Sequence, residues 1–487
     1  MKRIPTIAEM VVASEESLRK ALEVIDNNSQ GICFVVEGHN LLGALTDGDI
    51  RRLLLNSVSL DDCVTDHMRT NIVTLDVDAD NETIQKALTD KIRHIPMIDQ
   101  NGKLIDYASR YRYRHIPLAE PRLDGNELAY VTNCITTNWI SSQGKYVNRF
   151  EDMFSEYTHA NEAIAVSNGT VALHLALEAL NVGSGDEIIV PDFTFAASIN
   201  AILHAGATPV LVDVDMETWT IDVGEIKKAL TDKTKAIMPV HLYGHPCDMD
   251  AIMKIAHAHS LFVIEDCAEA VGSLYRDKHV GVFGDAATFS FFGNKTITTG
   301  EGGMVLFRDQ SVADTARKLR DHGMSPKKRY WHDVIGYNYR LTNIQAAIGV
   351  AQMERIEYFV EHKRNLAKAY YQALSDIEEI QLPSEAEWAT SSYWLYTVLL
   401  NENIDIGRDD LIQQLLLNGI EARPVFYPMH FMPPYAAFRG DRSLKTTEII
   451  SRRGISLPSA STITEKQIHE ISSVIKSNLK IRKMRAH

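Results

Sequence analysis

The chain has 487 residues, of which 45% are apolar, and a formal net charge of −14. This length predicts two to four domains, and an acidic chain without a long basic run argues against nucleic acid or an anionic membrane as the main partner. We find no apolar run near the roughly 20 residues of a membrane span, and the polar N-terminus does not resemble a signal peptide. Five scattered cysteines without a CxxC pair indicate a reduced, cytoplasmic protein.

The N-terminal part contains a weak internal repeat. The segment QGICFVVEGHNLLGALTDGDIRRLL is echoed by IRHIPMIDQNGKLIDYASRYRY, and each copy predicts a strand, a glycine turn and a second strand. A helical pattern precedes each copy, with Ser14 and Asp80 as the expected N-caps. The arrangement resembles a tandem CBS domain over residues 1–112.

The resemblance to CBS domains is most specific in GALTDGDIRR. In that family a hydroxyl residue and an aspartate three positions later bind a nucleotide ribose, and Thr46 and Asp49 match this pair. The second copy reads LIDYASRYR and lacks the pair, so the resemblance implies at most one purine nucleotide per chain, bound for regulation. The alternative is that Thr46 or Asp47 only caps the helix GDIRRLLL.

The rest of the chain predicts an α/β architecture. The basic and aromatic segment RYRYRHIPLAEPRLDG is expected to be a linker. Beyond it strands and helices alternate, which predicts a large domain with a mostly parallel, buried sheet over residues 113–375. From residue 376 to 487 the pattern changes to that of a smaller α+β domain.

Two charged residues in this α/β part suggest cofactor chemistry. The apolar run 261–264 ends in Glu265 and Asp266, and open α/β sheets bind ligands at the carboxyl ends of their strands. Lys295 follows in TFSFFGNKTITTGEGGMVLF, among glycines and small hydroxyl residues. Pyridoxal phosphate (PLP) requires a carboxylate for its ring nitrogen and an amine for its aldehyde, so this order and spacing predict a PLP site. The alternative is a turn whose lysine points to water.

Two further segments fit the same cofactor. In AVSNGTVALHLAL a strand runs into a helix through Gly169 and Thr170, and the free N–H groups of a helix start bind anions such as phosphate. In PDFTFAASIN, Phe195 offers an aromatic ring at a strand end for stacking. Each has a simpler alternative, an ordinary N-cap and an ordinary core phenylalanine.

Residues 115–487 resemble the nucleotide-sugar aminotransferases of PLP fold type I, the DegT/StrS family. The motifs that carry the resemblance are NWISSQGKYVNRFE, SNGTVALHLAL, PDFTFAAS, EDCAEAVGS, SFFGNKTITTGEGGMV and GYNYRLTNIQAAIG. The resemblance implies that Lys295 is the Schiff-base lysine, that Asp266 pairs with the pyridinium nitrogen and that Phe195 stacks on the ring.

The resemblance also implies how the phosphate is held and how the active site is assembled. Gly169, Thr170 and Ser290 are expected to hold the phosphate, and Asn338 to reach it from the neighbouring subunit of a homodimer. Glu269 stands near the PLP hydroxyl, where many family members carry Gln. Perosamine-synthase-like members also tend to carry Glu there, which favours GDP-4-keto-6-deoxymannose as the substrate.

The implied reaction is a two-stage amino transfer for surface-polysaccharide or amino-sugar biosynthesis. Glutamate donates the amino group, pyridoxamine phosphate is the intermediate form of the cofactor, and a nucleotide-linked 4-keto-6-deoxy sugar receives it. One alternative is a PLP-dependent sugar dehydratase, although those relatives carry histidine in place of Lys295. Another is a non-catalytic regulator that senses PLP or a sugar.

Substrate contacts are expected from two further segments, and no metal site is predicted. Trp139 and Ser141 are candidates for the sugar pocket, as are Arg423, Tyr427 and His430 in the loop RPVFYPMH. The histidines and cysteine of HLYGHPC do not match a strong zinc spacing.

Overall fold

The computed structural model describes residues 5–79, 81–89, 91–109, 116–402, 404 and 406–485. The chain forms two compact units, Met1–His115 with Leu416–Gly419 and Ile116–Leu415 with Ile420–His487. Among the helices described, none has the length and apolar character needed to cross a membrane.

The first unit contains the two predicted repeats, and each builds its own three-stranded sheet. In each sheet the first two strands pair in parallel and the last two antiparallel. The first repeat consists of β1 (Val11–Ala13), α1 (Leu18–Asn28), β2 (Ile32–Glu37), β3 (Asn40–Thr46) and α2 (Asp47–Leu55). The second consists of β4 (Leu75–Asp76), α3 (Asn81–Ala87), β5 (His94–Ile98) and β6 (Leu104–Ser109).

The helix caps of this unit differ from the expectation at one position. Helix α1 is capped by Ser17, whose Oγ accepts the Lys20 N–H at 3.3 Å, whereas the Ser14 hydroxyl donates to Glu15. Ser14 was therefore the wrong cap, because β1 ends at Ala13 and a turn separates it from the helix. Asp80 and the linker segment 110–115 lie outside the described residues.

A seven-stranded sheet dominates the second unit. Its order is β7-β15-β14-β11-β10-β8-β9, and only β15 runs antiparallel to its neighbours among the paired strands described. The strands are β7 (Glu162–Val166), β8 (Glu187–Pro191), β9 (Thr208–Val212), β10 (Thr234–Ile237), β11 (Phe262–Asp266), β14 (Ala286–Ser290) and β15 (Gly303–Phe307). This mostly parallel sheet is the predicted α/β core.

Helices cover both faces of this sheet, which explains why its strands read as continuous apolar runs. One face packs against α6 (Gly169–Ala179), α7 (Ala196–His204) and α10 (Gln310–Arg320). The other packs against α4 (Glu127–Thr136), α5 (Lys145–Thr158), α8 (Val223–Ala229), α9 (Met249–His259), α11 (Asn343–Met353) and α12 (Ile356–Leu374). Neighbouring strand residues point to opposite faces, as Ile164 and Ala165 show by belonging to different clusters.

A four-stranded antiparallel sheet forms from the segment predicted to be the small domain. Its order is β16-β18-β20-β19, with β16 (Ile380–Gln381), β18 (Tyr396–Leu400), β19 (Arg423–Pro424) and β20 (Gly454–Leu457). Its helices are α13 (Arg408–Leu417), α14 (Lys445–Arg453) and α15 (Glu465–Arg485), and α12 and α15 pack together beside it. A small separate sheet joins β12 (Leu274–Tyr275), β13 (Lys278–His279) and β17 (Ala389–Thr390).

Candidate active site

A cavity of about 720 Å³ opens at the carboxyl ends of the parallel strands. This is the edge where open α/β sheets bind their ligands. The predicted residues that line it come from several elements: Gly169, Thr170, Phe195, Asp266, Glu269, Ser290, Lys295 and Arg423. The fold therefore brings together side chains that are separated by more than a hundred residues in the sequence.

Lys295 lies in the connection between β14 and β15, close to two groups that affect its amine. Its Nζ is 3.8 Å from Glu269 Oε1 and 3.8 Å from the ring centroid of Trp394. The indole N–H of Trp394 donates to the Asn294 carbonyl at 2.8 Å, which ties this ring to the lysine loop. Burial lowers the pKa of Lys295, and the nearby carboxylates only partly oppose this. The neutral amine, which is the nucleophilic form, is thereby favoured.

Glu269 completes a buried acid–base pair with this lysine. Its Oε2 accepts the backbone N–H of Tyr243 at 3.0 Å, so the carboxyl is fixed in place. Burial raises the pKa of Glu269 to about 7, and the charge of Lys295 opposes that rise. Burial thus favours the neutral form of each member of the pair, and each member's charge opposes that effect on the other.

Asp266 ends β11 and is held by two donors. Its Oδ2 accepts the Ser198 hydroxyl at 2.8 Å, and its Oδ1 accepts the Ala268 N–H at 3.1 Å. Burial raises the pKa of Asp266, whereas these hydrogen bonds and the charge of Lys295 favour the ionised form. A buried carboxylate beside a lysine amine can keep a heteroaromatic ring nitrogen protonated.

The start of α6 supplies a site suited to an anion. Asn168 caps the helix by accepting the Val171 N–H at 3.0 Å, and the first helical residues are Gly169 and Thr170. A Cβ added at Gly169 would lie 2.9 Å from the Cβ of Ser290, so only glycine lets β14 approach the helix start this closely. Free N–H groups of a helix start together with two hydroxyl side chains match the needs of a phosphate.

The cavity also contains a large exposed aromatic ring. Phe195 precedes α7 and remains 60% exposed, with its ring centroid 5.9 Å from that of Phe426. The exposed ring, the buried carboxylate, the amine and the anion site together fit PLP, which needs one of each.

Three of the expected residues lie away from this cavity within the chain. Asn338 accepts the Arg340 Nε–H at 3.0 Å, and the Ser141 carbonyl accepts the Asn343 N–H at 2.8 Å. Trp139 lines a second cavity of about 720 Å³, with Arg340 and Asn343 also in its wall. Their roles toward cofactor or substrate remain predictions.

The loop RPVFYPMH contributes less to the cavity than expected. Arg423 lines the cavity and pairs with Glu421, while Tyr427 is half exposed beneath the Arg408 guanidinium. His430 is not at the cavity: its Nδ1–H donates to Asp192 Oδ2 at 2.7 Å, and its N–H donates to Asp192 Oδ1 at 2.9 Å. This histidine is buried and anchors the loop, and its expected contact with substrate stays a prediction.

Several residues that line the cavity or support its side chains were not predicted from the sequence. Tyr243, Trp394 and Phe426 form an aromatic wall, in which the Tyr243 ring stacks on both others with centroids 6.1 and 5.3 Å apart. Ser198 supports Asp266 from one helical turn beyond the motif PDFTF. The aromatic run SSYWLY was visible in the sequence, but nothing local indicated that it meets a lysine a hundred residues earlier.

One buried cluster combines metal-ligating side chains, namely His241, Glu265 and Cys267. Glu265 Oε1 accepts the N–H groups of Phe283 and Gly284, and its Oε2 accepts the Gly281 N–H. The same Oε2 lies 3.1 Å from Nε2 of His241. Because Nδ1 of His241 accepts the Cys247 N–H, the ring proton is on Nε2, which donates it to Glu265. These bonds occupy the carboxylate, so the cluster is a structural hydrogen-bond network rather than a metal centre.

In the first unit, Thr46 and Asp49 form a capping box at the start of α2. The Thr46 hydroxyl donates to Asp49 Oδ2 at 2.7 Å, and Asp49 Oδ1 accepts from Arg52 and Arg69. Burial pushes the pKa of Asp49 upward, but the hydrogen bonds from Thr46, Arg69 and Arg52 outweigh it and lower that pKa. The capping alternative is thus realised, and a ribose would have to share this carboxylate with two guanidinium groups.

Fold and site together define the class of the protein: a PLP-dependent aminotransferase with a mostly parallel sheet. Solved structures support this. An aminotransferase from Psychrobacter cryohalolentis is 32% identical with a TM-score of 0.71, and 75% of this chain covers all of it. Helicobacter pylori PseC, described as an aminotransferase of pseudoaminic acid biosynthesis, is 27% identical with a TM-score of 0.72 over 75% of this chain and all of that one.

The chain belongs to the DegT/DnrJ/EryC1/StrS aminotransferase family, which its residues 121–476 match. Residues 1–56 and 64–117 match CBS domains, which confirms the predicted repeat. Among curated relatives, the GDP-perosamine synthase of Caulobacter vibrioides is 49% identical over 74% of this chain and 97% of its own length. The GDP-perosamine synthase of Vibrio cholerae is 45% identical over 74% of this chain and 98% of its own.

Proposed function

We propose that this aminotransferase moves the amino group of glutamate to the 4-keto carbon of a nucleotide-linked 4-keto-6-deoxy sugar, with GDP-4-keto-6-deoxymannose favoured. The observation that supports the chemistry is Lys295, 3.8 Å from Glu269, in the cavity that Asp266 also lines. The favoured sugar rests on relatives named GDP-perosamine synthases at 45–49% identity. Such a reaction would serve surface-polysaccharide or amino-sugar biosynthesis in the cytoplasm.

The residues that would hold the cofactor follow from the cavity. Gly169, Thr170 and Ser290 would bind its phosphate, Phe195 would stack on its ring and Asp266 would pair with its ring nitrogen. When bound, PLP supplies a reactive aldehyde carbon and a ring that withdraws electrons.

Proton movement is assigned to the buried pair. The amine of Lys295, whose pKa burial lowers, takes a proton from the Cα of the amino acid and returns one at the sugar C4. Glu269 lies close enough to hold a proton for that amine during the exchange. Asp266 contributes a fixed negative charge at the end of β11, where it stabilises positive charge on a ring nitrogen.

The aromatic wall excludes water from these groups. Tyr243 is buried and its hydroxyl accepts the Phe426 N–H at 3.1 Å, so the wall joins the large sheet to the loop that carries Arg423. Exclusion of water strengthens the interactions of Asp266 and Lys295 with charged groups in the cavity.

We also propose a homodimer with shared active sites. Large apolar side chains stand exposed on α4, just after it and in the loop that precedes Asn338: Leu128, Ile135, Trp139, Tyr330 and Ile335. Ile335 is 93% exposed, which is unusual for a monomer surface of this apolar character. A second copy that covers these side chains would bury them and bring Asn338 toward the partner's phosphate site. A monomeric mass in sedimentation at micromolar concentration would refute this.

For the CBS domains we propose regulation by one purine nucleotide at Thr46 and Asp49. The second repeat offers no equivalent pair in its sequence, and Asp49 lies at a helix start with two arginines beside it. Arg52 and Arg69 could exchange their hydrogen bonds to Asp49 for hydrogen bonds to the phosphates of a nucleotide, which guanidinium groups bind well.

The test of the enzymatic proposal uses a panel of nucleotide-linked 4-keto sugars with glutamate, and mass spectrometry of the products. We expect a yellow protein that glutamate bleaches and an amino sugar formed from the GDP-linked substrate. Borohydride reduction should attach the cofactor to Lys295, and Lys295→Ala should abolish turnover while PLP still binds through the phosphate and ring contacts. A protein that gains no colour with PLP, or label on another lysine, would contradict the assignment.

A further inference from the structure

Two buried hydroxyl groups form a chain that ends on Asp266. The Ser198 Oγ lies 2.8 Å from Asp266 Oδ2, and the Thr194 Oγ1 lies 2.9 Å from the Ser198 Oγ. Both hydroxyl residues are 1% exposed. An ionised carboxylate can only accept, so Ser198 donates to Asp266, and its oxygen is then free to accept the hydroxyl proton of Thr194. Each member polarises the next toward the carboxylate.

We propose that Ser198, supported by Thr194, is a positioning residue that keeps the Asp266 carboxylate ionised and correctly oriented for amino transfer. The inference rests on the proposed function, because it concerns the group assigned to the cofactor's ring nitrogen. It adds to the machinery of that site Ser198, which does not line the cavity, and Thr194, which does.

The geometry explains why Asp266 needs this donor. Its two oxygens each accept one hydrogen bond, from the Ala268 N–H and from Ser198, and these two bonds fix the plane of the carboxylate. Without Ser198, Oδ2 would have no donor among the described contacts, and the group could rotate about its remaining bond. A hydrogen bond to the charged form also favours that form against the effect of burial.

Among the described residues, the charged and titratable groups that interact with Asp266 are Lys295, Glu269, His241 and Cys267. Ser198 carries no charge, so replacing it leaves the net charge of the site unchanged. Loss of its hydrogen bond should raise the pKa of Asp266, because burial already raises it and Ser198 opposes that effect. The pH dependence therefore separates this role from general packing.

The experiment compares wild type, Ser198→Ala and Thr194→Val in the cofactor-loaded enzyme. The readouts are the rate at which glutamate bleaches the bound cofactor across pH, and the cofactor's own absorption spectrum. Thr447→Val is the matched control, since the Thr447 hydroxyl also donates to a buried carboxylate, Asp213, at 2.8 Å, and Thr447 does not line the cavity.

We expect Ser198→Ala to slow bleaching roughly 10- to 100-fold, which is the effect of one hydrogen bond to a charged group. We also expect it to move the acidic limb of the plot of bleaching rate against pH to higher pH. Thr194→Val keeps the direct donor Ser198, so it should shift the acidic limb less but in the same direction. This variant still tests the proposal if Ser198→Ala is too unstable to purify. Thr447→Val should lose thermal stability without moving the limb.

The inference is overturned if the loaded Ser198→Ala and Thr194→Val enzymes keep the wild-type spectrum and acidic limb. It is also overturned if Thr447→Val shifts the limb equally. A wild type that never colours with PLP or is never bleached by an amino acid would instead refute the proposed function.

Discussion

The carboxyl group of Glu269 links the proposed catalysis to the stability of the folded protein. Its carboxyl is buried, accepts the Tyr243 N–H and faces Lys295. Burial raises its pKa to about 7 in the folded protein, from 4.5 for the same group in water. The folded state therefore holds a proton that the unfolded chain releases between these values, and its stability falls as pH rises through that window.

We predict that Glu269→Gln removes this loss of stability. Between pH 5 and pH 8 the free energy of unfolding of the cofactor-free wild type should fall relative to the variant, by an amount on the order of 2–3 kcal/mol. Glutamine keeps the acceptor for the Tyr243 N–H but cannot ionise. Chemical denaturation at both pH values measures the difference.

The control for this prediction is Glu301→Gln, which removes the same charge from an exposed position at the edge of the same cavity. Its stability should follow that of wild type across pH. Parallel curves for wild type and Glu269→Gln would show that Glu269 is not held protonated by the fold.

At the scale of single residues, the sequence identified the groups with distinctive chemistry and missed those that support them. Neither Lys295 nor Asp266 is distinctive alone, but an aspartate at a strand end followed by a lysine among glycines is a distinctive combination. Ser198 and Trp394 carry no local signal, since a serine in a helix and a tryptophan before a strand are common. Their importance depends on contacts that only the folded chain creates.

At the scale of elements, the loop 423–431 lines the cavity at one end and is held by buried hydrogen bonds at the other. Arg423 and Phe426 line the cavity, while His430 at the far end is buried and makes two hydrogen bonds with Asp192 beside β8. Burial raises the pKa of Asp192, and the bonds from His430 oppose that effect. The loop is therefore attached to the large sheet at a point outside the cavity.

We predict that His430→Ala destabilises the protein by roughly 1–3 kcal/mol, the cost of leaving a buried carboxylate without its side-chain partner. It should raise KM for the sugar nucleotide more than it lowers kcat, because the chemical groups on β11 and β14 stay in place. Tyr427→Ala, at the exposed side of the same loop, should change thermal stability far less. A substrate-binding role for the His430 ring would instead leave stability intact while KM rises.

The elements themselves were predictable where periodicity was strong. The alternation of buried strands and helices from β7 to β11 follows directly from apolar runs bounded by turn residues. The start of α1 was misplaced because Ser14 and Ser17 are both acceptable caps, and the choice depends on where β1 stops. Two-residue strands such as β12 and β13 have too little sequence to carry a pattern.

At the scale of the whole molecule, the CBS match and the aminotransferase match fall on different parts of the chain. About three quarters of this chain aligns with nearly the entire length of the two GDP-perosamine synthases. Aminotransferases of this family therefore exist without the CBS domains. Every residue assigned to the chemistry belongs to the second unit. The sequence could indicate this organisation because the two parts differ in motif content, but it does not identify which nucleotide the first unit would bind.

We predict that a chain beginning at Ile116 folds and transfers amino groups at a rate within a few-fold of the full protein. Ile116 is the natural start, since its carbonyl accepts the Glu421 N–H at 2.9 Å within the second unit. The truncated enzyme should no longer respond to purine nucleotides, because a regulatory ligand must bind two states of the protein differently. Steady-state kinetics with and without nucleotide measures this.

The site itself is tested in the full chain by Asp49→Ala, which should weaken nucleotide binding at least roughly tenfold in calorimetry. Asp47→Ala is the matched control, because Asp47 lies two residues away and pairs only with Arg51 in the described contacts. Equal binding by wild type and Asp49→Ala, or a truncated chain that is folded but inactive, would show that the CBS domains have another role.

The adjacent carboxylates of β11 have a consequence for how this family can change over evolutionary time. Glu265 accepts backbone N–H groups of the segment 281–284, while its neighbour Asp266 faces the cavity. Successive strand residues point to opposite sides, so inserting or deleting one residue in this strand would exchange the two carboxylates and disable both functions at once. Descendants can therefore accumulate substitutions along β11, but length changes must be confined to the loops at its ends.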